Sequence, residues 1–127
     1  MLFDDSDLIH RYTRAEALAD GALIGVGALA REVGIRFPVA PTAAAWGRCV
    51  VVPSGVACQD EAGGLWDVLW MLCAAIRSCG DATEVRFGVH VRKDNRERTP
   101  PFVRLKAVCG PGDQGEPVIT VMMPDED

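Results

Sequence analysis

The sequence predicts an α+β fold: short N-terminal helices and one long central helix packed on a three-stranded antiparallel β-meander. Three observations carry that expectation. Residues 61–78 place Leu65, Leu69, Leu72 and Ile76 along one stripe at helical spacing. Residues 84–93 and 102–109 alternate apolar and polar side chains with period two, and 118–123 is a third apolar run. The segments between these runs are polar and rich in Gly and Pro, which suits hairpin order. A chain of 127 residues fits a single domain, 1–127. It is long enough to build a core without a disulfide or a metal.

The elements follow in order. Thr13 and Glu16 form a capping box ahead of the helix formers Arg14 to Ala19, and Asp20-Gly21 stops that helix. Ala22 to Val26 is short and flanked by glycine, so it is expected to run extended. Ala28 to Val33 makes a second short helix closed by Gly34. Phe37-Pro38-Val39 is extended, because proline fixes its own φ and moves the preceding residue out of the α region. Thr42 caps a third short helix from Ala43 to about Val50, ahead of Pro53. The central helix opens with Asp60 as cap and Glu61 beside the positive helix end, and Arg77 suits its last turn before Gly80. Trp66, Trp70 and Cys73 form a second stripe next to the leucines. That spacing predicts core for Trp46, Trp66 and Trp70, with a binding platform as the alternative use. In the strands, Val85, Phe87, Val89 and Val91 oppose Glu84, Arg86, His90 and Arg92, and Val103, Leu105, Ala107 and Cys109 oppose Arg104 and Lys106.

Apolar residues make up 49% of the chain and charged residues 24%, which argues against wholesale disorder. The net charge of −5 excludes a general nucleic-acid-coating role and leaves room only for a local basic face. The charge is unevenly spread. Residues 1–67 hold nine acids against five arginines, 84–106 hold seven Lys and Arg against three acids, and the segment from 107 onward holds five acids and no base. A cytoplasmic location is expected, since Met1 to Asp7 carries three aspartates and no basic residue, unlike a secretory signal. The longest uncharged apolar segment, Val68 to Ile76, is far shorter than the ~20 residues that cross a bilayer.

Chemical signatures are few. Five cysteines (Cys49, Cys58, Cys73, Cys79 and Cys109) contain no CxxC pair, so free thiols are expected, with neither a zinc ribbon nor a dithiol centre. No phosphate-binding glycine loop, HExxH or GxSxG is present, and no cofactor or metal is expected. His90 falls on the polar strand face and Cys109 on the apolar one, which disfavours a Cys–His nucleophile pair. Asp60, Glu61 and Asp67 read as cap, dipole partner and a paired carboxylate rather than as an acid–base cluster.

Tyr12-Thr13-Arg14-Ala15, Asp20-Gly21, Phe37-Pro38-Val39, Trp46 with Cys49-Val50, and Gln59-Asp60-Glu61-Ala62-Gly63 followed by Leu65-Trp66-Asp67-Val68-Leu69-Trp70-Met71-Leu72 together resemble a family of small uncharacterised proteins of phages, plasmids and bacterial genomes. The resemblance spans residues 10–91 and is most specific around Trp66. It implies a mobile-element origin and supplies no catalytic residue. With the acidic bias, it leads to the expectation of a non-enzymatic binding protein that inhibits a host defence complex, of the anti-CRISPR type. The partner would be a host surveillance or nuclease complex, with no direct nucleic-acid binding and no membrane. Acidic groups would occupy a channel built for DNA, and the contact residues expected are Asp4, Asp5, Asp7, Asp113 and Glu116. The alternatives are a small accessory enzyme using Asp60, Asp67, His90 or a cysteine, and a homodimeric interaction domain with an exposed Met122-Met123 patch.

Overall fold

The computed structural model describes residues 12–51, 61–91 and 101–126. Over these the chain runs α1 (Arg14–Asp20), α2 (Gly27–Val33), β1 (Val39–Pro41), α3 (Ala43–Cys49), α4 (Glu61–Cys79), β2 (Glu84–His90), β3 (Phe102–Pro111) and β4 (Pro117–Met122). The α+β expectation holds, and the Thr13 and Thr42 caps and the Gly21 and Gly34 stops fall where they were read. Thr13 accepts from the amide of Glu16 while the Glu16 side chain takes the amide of Thr13, and Gly21 ends α1 at φ 88°. Such a φ is cheap only without a Cβ. Thr42 caps α3 through the amide of Ala45.

The sheet differs from the expected meander. It has four strands in the order β1-β4-β3-β2, with β2, β3 and β4 antiparallel and β1 parallel to β4. β1 aligns Val39 with Ile119, Ala40 with Thr120 and Pro41 with Val121. Three residues bounded by Pro38 and ending in Pro41 cannot show a period-two pattern, and all three are buried. Their strand character comes from the free edge of β4, not from their own propensity. The extended stretch before α2 lies along the other side of β1, where the amides of Ile24 and Val26 donate to the carbonyls of Pro41 and Val39. β1 is thus bonded on both sides despite its prolines.

The core lies between α4 and the inner sheet face. Leu69, Leu72 and Leu105 are fully buried, joined by Val68, Val89, Val103, Ile119 and Val121, while α2 contributes Ala30 and Val33. The tryptophan expectation is corrected here. Trp46 is half-buried against the core, but Trp66 is 38% and Trp70 55% exposed. On a 3.6-residue helix the two lie about 100° round from the Leu65–Leu69–Leu72 stripe, and the sheet with α2 covers the leucine side only. The reach of that cover is a tertiary fact that helical spacing alone does not contain.

The outer face of the sheet divides in two. Over β4 and the end of β3 it is covered by α1 and its flanking segments, so that Val118 and Met122 are buried. Met122 is therefore no exposed patch. Over β2 and the start of β3, Arg86, His90, Phe102 and Arg104 are exposed.

Leu69→Ala is expected to lower stability by about 2–5 kcal/mol in a denaturant melt, because it leaves a cavity in the centre of the packing. Trp70→Ala is expected to cost less than about 1 kcal/mol, as a surface substitution does. Equal losses from the two would mean that a part of the molecule covers Trp70 in solution.

Candidate functional site

Three surface features stand out: a groove beside α1, an aromatic stripe on α4 and a basic patch on β2 and β3. The groove, about 800 Å³, runs between α1 and the outer sheet face, with Arg14, Thr42, Thr120 and Glu126 among its polar lining. Arg14 anchors it. Its guanidinium donates to Thr120 Oγ1 at 2.8 Å and to the carbonyl of Ile119 at 3.0 Å. Partial burial draws the Arg14 pKa down, opposed by the nearby charges of Asp113 and Glu116.

Two of the sequence-predicted contact acids sit beside this groove and serve the fold. Asp113, in the β3–β4 turn, accepts from the amides of Arg14 at 2.8 Å and Ala15 at 2.9 Å. With the Thr13 cap, three unpaired amides at the start of α1 are satisfied, two of them by a carboxylate 98 or 99 positions away in sequence. Glu116 accepts from the amide of Gln114 at 2.8 Å and closes the turn, and a Cβ at residue 112 would overlap its carboxylate. Asp4, Asp5 and Asp7 lie outside the described residues, as do Asp60 and Cys58. Sequence patterns gave no signal for Asp113 as a cap, because its helix is at the far end of the chain. The C-terminal segment is tied down in the same way: Glu126 accepts from Thr42 Oγ1 and from the amide of Met123, both at 2.7 Å.

On α4 the rings of Trp66 and Trp70 stack at 6.4 Å with their planes 17° apart, and Met71, on another side of the helix, is 41% exposed. Asp67 is on the exposed side of α4, and partial desolvation pushes its carboxyl above the usual range. It has no hydrogen-bond or ion-pair partner among the described residues, so the pairing expected for it is not found.

His90 pairs with Phe102 at one end of the β2–β3 ladder, whereas Cys109 lies past the other end, against Ile119. The two do not meet. Cys49 and Cys73 are buried, Cys79 and Cys109 half-buried, and Cys73 donates to the carbonyl of Val33. Among the described residues no cluster of His, Cys, Asp and Glu has the arrangement of a metal site, and no helix is long and apolar enough to cross a membrane.

A family model described as a family of unknown function (DUF6573) matches residues 1–127, a longer span than the motifs around Trp66 suggested. No curated protein and no solved structure matches the chain.

Asp113→Ala is expected to destabilise the protein by about 1 kcal/mol, the usual scale for losing a helix cap, with loss of helical signal in circular dichroism. A second test uses Tyr12, the chain's one tyrosine. Its hydroxyl donates to Asp20 at 2.5 Å. That bond pushes the Tyr12 pKa up from 10.0 to about 12, and it holds Asp20 below the usual carboxylate range. Ultraviolet titration is expected to show a midpoint near 12 that falls toward 10 in Asp20→Asn. Tyr12 is raised, so its contribution is fully present below pH 10 and lost as pH rises toward 12. Asp20 is lowered, so its share is lost as pH falls through its folded pKa.

Proposed function

The chain belongs to the family of unknown function DUF6573, and we propose that it is a non-enzymatic binding protein that docks on another macromolecule through α4. In its specific form the reading is an inhibitor from a mobile element that occludes a host defence complex of the CRISPR type. The observation that carries it is the stacked, exposed Trp66–Trp70 pair. Tryptophan is among the residues enriched at the energetic centres of interfaces. A protein that only had to fold would gain more by turning these side chains inward.

The acidic mode suggested by composition has less support. Asp113 gives both carboxylate oxygens, and Glu116 one, to backbone amides. The aromatic stripe is therefore favoured over a DNA-mimicking surface as the contact.

The test is capture of a purified defence nuclease complex by the immobilised protein, with a CRISPR-interference assay in cells alongside. Trp66→Ser with Trp70→Ser is expected to abolish capture and inhibition while leaving the melting temperature within a few degrees of wild type. Retention of both by that variant would rule out α4 as the contact. Loss of both on neutralising Asp113 and Glu116, in a protein that still folds, would restore the acidic mode.

A further inference from the structure

We infer that the open half of the outer sheet face, on β2 and β3, binds single-stranded nucleic acid, with phosphates held by Arg86 and Arg104 and a base stacked on Phe102. This site is independent of the α4 stripe. It rests on three observations.

The first is a costly placement of charge. The register sets Arg86 directly opposite Lys106 and places Arg104 opposite Gly88, one diagonal step from Arg86. Like charges facing each other across an antiparallel pair destabilise the sheet. The relief on hand is Glu84, paired with Arg86 at 3.2 Å, both side chains largely in water at 61% and 46% exposure. Such a pair contributes little. An anion bound between the cations would remove the repulsion.

The second is a place for that anion. A pocket of about 180 Å³ opens between Arg86 and Arg104, with Phe87, Leu105 and Pro124 completing its wall. At ~30 Å³ per water molecule in the liquid it has room for a phosphate group with some of its hydration. Two guanidinium forks present donors in pairs, the arrangement that suits phosphate oxygens.

The third is Phe102, 54% exposed among these cations. Its ring lies across Gly88, where any Cβ would overlap it. His90 meets the ring edge-on at 5.1 Å, and the Arg104 guanidinium carbon stands 5.9 Å from its centroid. An aromatic ring laid flat on a sheet beside arginines is the stacking platform used for unpaired bases, and a duplex keeps its base faces hidden. An acidic peptide would satisfy the charges but would not use the ring. The net charge of −5 limits the effect to this patch.

The experiment is fluorescence anisotropy of a labelled oligothymidylate with the full chain at several salt concentrations. Binding is expected, with a log–log salt slope of about −1.4, as the two arginines at ~0.7 each would give. Arg86→Ala and Arg104→Ala are expected to weaken it about fivefold or more. Phe102→Leu keeps an apolar cover on Gly88 but has no stacking face, and is also expected to weaken it about fivefold. Should an alanine variant unfold by circular dichroism, Arg104→Lys, which keeps the charge and loses the fork, takes its place with the same expectation. Absence of binding at low salt overturns the inference. So does binding that Phe102→Leu leaves unchanged and polyglutamate competes away equally well, which would mark a surface for acidic protein instead.

Discussion

Three residues, Val39 to Pro41, tie the described segments before α4 into the sheet's hydrogen-bond ladder. Val39 to Pro41 pair with β4 on one side and receive Ile24 and Val26 on the other, so this short strand joins segments about 80 and 15 positions away in sequence. The adjoining amides carry the attachment further: Ile119 donates to Pro38 and Thr42 to Val121. α2 and α3 flank the strand directly, and α1 reaches the same sheet edge through Arg14 and Asp113. Parallel pairing needs a long crossover, and here that crossover is most of the protein. The cost of closing so long a loop falls due before the contact is made. The N-terminal helices, seven residues each, are too short to be stable alone. They depend on that closure.

What the sequence made legible was local. Thr13 with Glu16 and Thr42 with Ala45 are bonds between residues three apart, and they fall where the pattern of side chains placed them. Gly21 and Gly34 sit at φ 88° and 105°, as helix-stopping glycines should. The alternation in β2 and β3 reflects one face on α4 and one in water. What was not legible was long-range. β1 is a strand because β4 offers it an edge, and Asp113 is a cap because the β3–β4 turn comes round to α1. Trp66 and Trp70 have the same helical spacing as core residues. Their exposure depends on how far the sheet and α2 extend round α4.

Charge counted along the sequence does not say what each carboxylate binds. Of the acids toward the C-terminal end, Asp113, Glu116 and Glu126 each accept a backbone amide, and Glu126 also takes the hydroxyl of Thr42. These carboxylates replace water at helix starts and in a tight turn, where amides would otherwise lack partners. Among the described residues, the cations of β2 and β3 show only an exposed pair of Arg86 with Glu84 and the contact of Arg104 with the Phe102 ring. Counting charges along the chain cannot separate these uses, because the difference lies in whether a backbone donor stands within about 3 Å.

The layer order then constrains what the two exposed surfaces can do together. α4 turns its leucine stripe to the inner face of β2 and β3, so Trp66 and Trp70 look out from the helix layer. Arg86, Phe102 and Arg104 look out from the opposite side of the same two strands. A side chain on a strand reaches only one face, and a one-residue slip in register would exchange the two. The register between β2 and β3 is pinned by Val89, Leu105 and Ala107 packing beneath α4, and that packing holds the arginines outward. One flat partner cannot touch both surfaces. Occupation of either surface therefore leaves the other open.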